Sequence, residues 1–158
     1  MSNNGLSLHA ASVSFAVAIG VMMLSKELLG AYFSLNPPAT NKRIELAQSA
    51  SGLTFPKGYV DFLLICNGLS SPGCLALHEI EILPARNGEY EVQKYLPGYF
   101  MIGDDGGGQA ILISASGEIF EVGMGVMSAN YLESSAISIE DLLVGKLGLT
   151  LGERRANE

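Results

Sequence analysis

The chain has 158 residues, 48% of them apolar, which excludes wholesale disorder and supplies enough material for one buried core. Its formal net charge of −7 repels phosphate backbones, so no nucleic acid is expected as partner, and the same charge steers the chain toward a basic protein. Only 16% of the residues are charged while glycine numbers 19, a balance that suits a turn-rich sheet protein.

Residues 6–25 contain no Asp, Glu, Lys or Arg. Within them Val13, Phe15, Val17, Ile19 and Val21 alternate with Ser, Ala and Gly, the period of a strand. The small residues on the other side would also suit close helix packing. No Lys or Arg precedes the run and no small-residue cleavage pattern follows it, which argues against a signal peptide. A membrane span needs about 20 mostly apolar residues, and this run reaches such a length by including His9 and several serines. Residues 1–34 are therefore set apart as an apolar N-terminal extension, expected to pack as an element of the fold, with a membrane anchor as the alternative.

Residues 35–40 are stiff and extended, because Pro37 and Pro38 each fix φ and disfavour helix in the residue before. Thr40 or Asn41 can cap a short helix that runs to about Ala50 and ends at Gly52, with Ile44 and Ala47 facing inward. Pro56 suits the first turn of a second helix, whose apolar face is Tyr59, Phe62, Leu63 and Cys66. Asn67 and Gly68 both tolerate the left-handed conformation and are expected to stop it.

Beyond Gly68 the pattern turns to sheet. Residues 74–83 read as a strand with Leu75, Leu77, Glu79 and Glu81 on one side, and residues 89–95 as a short strand or helix turn. Residues 99–102 read as a buried strand stopped by Gly103, residues 104–108 as a tight loop, and residues 109–113 as the next strand. Residues 114–117 are a turn, and residues 118–122 pair back as a hairpin. A last helix is expected near Ser138, with Ile139, Leu142 and Leu143 as its face and Gly145 or Gly148 as its end. Residues 149–158 read as a polar tail, which leaves one domain over residues 35–148.

The chemistry-bearing residues are sparse. Cys66 and Cys74 make neither a disulfide scaffold nor a zinc site, and Cys66 reads as a reduced core residue, which favours the cytoplasm. His9 lies in the apolar run, and His78 lies in the strand beside Glu79 and Glu81. Asp104 and Asp105 precede three glycines, a pattern that could hold a hard cation. It lacks EF-hand spacing, it is followed by no Lys-Ser or Lys-Thr pair, and it does not open a helix. It reads better as a turn that needs φ > 0 at glycine, with Asp accepting local N–H bonds. No nucleophile motif is present. No catalytic residue, metal ligand or cofactor is therefore expected.

The order of elements resembles the SUKH superfamily, in its Smi/Knr-like branch. Four features over residues 36–144 carry the likeness. The first is Asn36-Pro37-Pro38-Ala39-Thr40 before a helix containing Ile44. The second is Phe55-Pro56-Lys57-Gly58-Tyr59-Val60-Asp61-Phe62-Leu63 ending in Asn67-Gly68. The third is Ile102-Gly103-Asp104-Asp105-Gly106-Gly107-Gly108 before a strand and the Ser116-Gly117 turn. The fourth is Ile137-Ser138-Ile139-Glu140-Asp141-Leu142-Leu143. Phe55 stands where the family usually has Leu, and Ile139 and Leu142 replace aromatics.

The resemblance implies an α+β fold, a mostly antiparallel sheet flanked by helices. It also implies a protein-binding module without catalysis. Bacterial relatives are read as immunity proteins that neutralise a cognate polymorphic toxin of nuclease or deaminase type. Fungal relatives look like regulatory interaction proteins, and a regulatory scaffold of that cell-wall-regulator type, membrane-tethered if residues 6–25 span a bilayer, is the alternative here. The expected partner surface is acidic, carried by Glu79, Glu81, Asp104, Asp105, Glu118 and Glu121 on neighbouring hairpins.

Overall fold

A computed structural model describes residues 24–158. His9 and the alternating run 13–21, read as a packed element with a membrane anchor as the alternative, lie outside the described residues. Among the described residues no helix is long and apolar enough to cross a membrane.

The described residues open with α1 (Lys26–Gly30) and β1 (Ser34–Leu35), followed by α2 (Asn41–Ser51) and α3 (Lys57–Ile65). Strands β2 (Leu69–Ser70) and β3 (Ala76–Leu77) lead into α4 (Leu83–Glu89) and α5 (Val92–Tyr95). Strands β4 (Tyr99–Asp104), β5 (Gln109–Ser114), β6 (Ile119–Gly123) and β7 (Glu133–Ala136) follow, then a π-helical turn (Asp141–Gly145) and α6 (Leu151–Ala156). Among the described residues seven strands form one sheet in the order β1-β2-β3-β4-β5-β6-β7, antiparallel throughout. The architecture is the α+β arrangement that the sequence implied.

Local chemistry sets the helix ends. Thr40 Oγ1 accepts the Arg43 N–H at 3.2 Å, and Gly52 closes α2 with φ 67°. Ile44 and Ala47 face inward from α2, and Tyr59, Phe62, Leu63 and Cys66 face inward from α3 and its end. The stop after α3 differs from the expectation. Cys66 is already extended, and Gly68 alone of the pair has a positive φ, 91°. Asn67 serves as a buried polar linker instead, its Oδ1 accepting the Ile80 N–H at 2.9 Å and its Nδ2 donating to Glu81 at 2.8 Å.

That link shortens the strand expected over residues 74–83. Leu75 and Leu77 are buried with the period of a strand, but the next buried positions are Ile80 and Leu83, with the period of a turn. Once the Ile80 N–H is tied to Asn67, the chain leaves the sheet and enters α4. Glu79 and Glu81 are exposed, not aligned with Leu75 and Leu77. Gly103 does not stop β4 either. It pairs with both Leu77 and Ile111, and a Cβ there would collide with the backbone carbonyl of Ala76. Glycine is needed for close approach of β3, not for a break.

Each face of the sheet buries its own cluster. Phe100, Ile102, Ile111, Ile113 and Ile119 join α2, α3 and the π turn in the larger core. Met101, Ala110, Leu112 and Val122, one residue out of phase along the same strands, join Val92 and Leu96 in a smaller second core. The last helix expected near Ser138 is this single π turn. Ser138 Oγ accepts the Asp141 N–H at 3.0 Å, while the Asp141 carboxylate returns to the Ile137 N–H at 3.1 Å. Residues 149–158, read as a polar tail, contain α6, held by a capping box between Thr150 and Glu153.

Candidate functional site

The six acidic positions singled out in the sequence do not gather on one face. The β5 register puts loop 104–108 at one end of the sheet and turn 114–118 at the other, which separates Asp104 and Asp105 from Glu118. Glu79 is exposed in the turn after β3, and Glu118 is exposed and accepts from Ser116 at 3.1 Å. Glu81 is exposed but engaged, paired with Arg43 and accepting from Asn67. Partial burial pushes the Glu81 pKa up, yet the bonds from Asn67 and Arg43 hold it below its ordinary value.

Glu121 is a correction. It is buried, because β6 alternation turns it to the same side as Ile119, and its Oε2 accepts from Ser135 at 2.8 Å and from the Leu151 N–H at 2.9 Å. Burial is the main cause that pushes its pKa up. It offers no carboxylate to a partner.

The loop carboxylates are also occupied. Asp105 Oδ1 accepts the N–H groups of Gly107 at 2.8 Å and Gln109 at 3.0 Å, and Asp104 Oδ1 accepts that of Gly106 at 2.9 Å. Gly106 and Gly108 have φ 72° and 97°, as the turn reading requires. The other Asp104 oxygen meets His78 Nε2 at 2.7 Å and Arg86 Nη2 at 3.4 Å. Burial alone would raise the Asp104 pKa, but the His78 bond, the Gly106 N–H and the two basic groups hold it below the ordinary value. His78 thus faces Asp104.

A carboxylate-held imidazole can serve catalysis when a hydroxyl or thiol meets its other nitrogen. Cys66 is not such a group: it is fully buried and its thiol is pushed up to about 11 by burial. Cys74 is exposed and unpaired.

A different surface has the make-up of a protein interface. Helices α4 and α5 fill the β3–β4 connection, and Val92 of α5 with the following Leu96 joins the second core, facing the long β6–β7 connection. Between them runs an open groove of about 520 Å³. Tyr90 and Tyr95 line it from the helices, and Met124, Val126, Met127 and Tyr131 line it from the connection. Tyr95, Val126 and Tyr131 are 52%, 49% and 61% exposed. Glu89 and Glu91 border it. Aromatic and methionine side chains are enriched in protein interfaces, where they bring large contact area and an adaptable shape.

The groove stands on a rigid base. Asn87 of α4 is buried against β4, with Oδ1 accepting the Met101 N–H at 2.8 Å and Nδ2 donating to the carbonyls of Leu83 and Met101, both at 2.9 Å. Gln93 ties α5 to the same asparagine at 3.0 Å and to the Tyr99 carbonyl at 2.7 Å. The α4–α5 corner is therefore pinned to β4. On the opposite wall the Met124 N–H donates to the Gly108 carbonyl at 2.8 Å, and Ser128 caps the 3₁₀ turn Ala129–Tyr131.

Sequence reasoning missed this surface. Its signal was a set of large apolar side chains in segments with neither helix nor strand period. A second groove of about 560 Å³ lies at the end of α2, but polar groups of Glu45, Gln48, Ser49 and Thr54 dominate it.

The sequence model of the SMI1 / KNR4 family (SUKH-1) matches residues 38–144, more than half of the chain. The chain belongs to that family. No curated protein matches it. The SUKH-1 span begins at Pro38, just before α2, and ends at Val144 in the π turn. It therefore includes strands β2 to β7, the second core and the whole groove, while α1, with its larger-core residue Leu29, β1 and α6 lie outside it.

Proposed function

We propose that this SUKH-1 domain is a protein-binding module of immunity type, which neutralises a cognate toxin of nuclease or deaminase class by direct, stoichiometric contact in the cytoplasm. The observation that carries the proposal is the Tyr/Met groove on a second core, bordered by Glu89 and Glu91. The net charge of −7 supports a basic partner, and two unpaired thiols suit a reducing compartment. Glu79 and Glu118, exposed away from the groove, add to the long-range field that draws such a partner in.

The test is co-purification from the native cell, then stopped-flow binding to the recovered partner across a salt series. Opposite charges raise association rates by up to roughly 10–1000-fold at low salt. Dissociation, set by buried anchors, should change far less with salt. Charge reversal at Glu79 and Glu118 together should slow association without loss of fold. A partner that is acidic or a nucleic acid, or a flat association rate, overturns the proposal.

A further inference from the structure

Two of the residues that line the groove, Glu91 and Tyr95, meet a cation that belongs to the chain itself. Lys94 folds back so that its Nζ lies 5.2 Å from the centre of the Tyr95 ring and 3.1 Å from Glu91 Oε2. A carboxylate and an aromatic face thus converge on one ammonium at the edge of the groove. Such a pair attracts a cation by the charge of the one and the quadrupole of the other. The Lys94 contact is exposed and local, made between near neighbours at the start of α5, so it is weak and readily exchanged.

Glu91 is held in place at a conformational cost. Its φ of 50° and ψ of 42° put it in the left-handed region, which an L side chain with a Cβ seldom adopts. The corner cannot relax, because Asn87 and Gln93 pin both sides of it to β4. The carboxylate is therefore presented at the groove's edge by a rigid frame.

We propose that this groove takes a segment of a partner protein that carries arginine or lysine beside an aliphatic residue, and that the incoming cation displaces Lys94 from Tyr95 and Glu91. The aliphatic side chain packs among Met124, Val126 and Met127. Arginine suits the seat better than lysine, since its planar group stacks on the ring while donating to the carboxylate. Lys94 acts as an internal stand-in, one that keeps the seat filled until the partner arrives. The proposal rests on the protein-binding reading and names the chemistry of what binds.

The full chain with ¹³C-labelled methionine methyl groups provides the test. Met124 and Met127 report on the groove, and buried Met101 reports on the core beneath it. The probes are the capped tripeptides Arg-Leu-Arg and Glu-Leu-Glu. The arginine peptide should shift the Met124 and Met127 signals saturably, leave Met101 in place, and be unmatched by the glutamate peptide. Lys94→Gln should tighten binding by roughly two- to fivefold, because a competing cation is gone, and Tyr95→Leu or Glu91→Gln should weaken it by a similar factor. An unchanged Met101 signal shows that each variant is folded. Unmoved Met124 and Met127 signals, or an affinity that Lys94→Gln leaves unchanged or lowers, overturn the proposal. A toxin that binds without moving the groove methyls defeats the groove and spares the immunity reading; peptide binding without any toxin partner does the reverse.

Discussion

The Glu121 carboxylate on β6 accepts the backbone N–H of Leu151, thirty residues further along the chain, at 2.9 Å. The same oxygen accepts from Ser135 on β7, and Arg154 of α6 donates to that hydroxyl in turn. One buried carboxylate thereby joins two strands to the helix that follows the SUKH-1 span.

The pH dependence of stability follows from that burial. Burial pushes the Glu121 pKa above its ordinary 4.5, against the opposing Leu151 N–H, Ser135 and Arg154. Between 4.5 and the raised value the folded state holds more protons than the unfolded one, so this group's contribution is full below 4.5 and is lost as pH rises. Glu121→Gln keeps an acceptor for Leu151 and Ser135 but has no such dependence. Denaturant titrations from neutral pH to about 4.5 should show the parent gaining stability relative to this variant as pH falls. Glu121→Ala should cost roughly 2–3 kcal/mol, since it leaves buried donors unpaired.

Asp104 works in the opposite sense. Its pKa lies below the ordinary 3.8, so its pairing with His78 and Arg86 stabilises the fold above that pH and is lost as pH falls through the lowered value. Asp104→Asn should weaken the fold at neutral pH by about 1–2 kcal/mol and flatten the acid limb of the stability curve. Because Asp104 and Asp105 are committed to the loop backbone, Ca²⁺ and Mg²⁺ should leave the Tm unchanged, both in the parent and in the double Asp→Asn variant. A large Ca²⁺-dependent rise in the parent alone would reveal a cation site in the loop.

Two glycines in neighbouring segments should respond very differently to alanine. Gly103→Ala drives a methyl into the Ala76 carbonyl across the β3–β4 ladder and should cost about 3 kcal/mol or more. At Gly107 a Cβ would meet the Asp105 carboxylate at an ordinary 3.5 Å, so Gly107→Ala should change stability by less than about 0.5 kcal/mol. Equal losses at the two positions in thermal melts would refute the close-approach account.

Asn87→Ala should lower stability by about 3 kcal/mol, because it leaves the Met101 N–H and two carbonyls without their buried partner. Native-state hydrogen exchange would show whether the loss is concentrated at α4 and α5. Uniform loss of protection across the sheet would instead mean that Asn87 supports the whole core.

Much of the fold was legible because it depends on near neighbours in the chain. Thr40 and Gly52 bracket α2, Tyr59, Phe62 and Leu63 repeat with helical period, and the two hairpins after Asp104 carry their own turn residues. These signals act within a few residues, so the sequence displays them directly. The order of such elements also carried the family resemblance, which the SUKH-1 match bears out.

What tertiary structure decided lies where a local preference met a distant partner. Residues 78–83 alternate like a strand until Asn67 captures the Ile80 N–H and turns the chain into α4. Gly103 reads as a stop, but the backbone of Ala76 approaches it from another strand. Glu121 reads as one more surface acid until α6 folds over it, and Tyr95 and Tyr131 share a groove although the whole of β4, β5 and β6 separates them in sequence. Composition fixed the number of acids and aromatics. Which of them face each other depended on the register of the sheet and the direction of each connection, and those are set by long-range hydrogen bonds and packing that no short window of sequence contains.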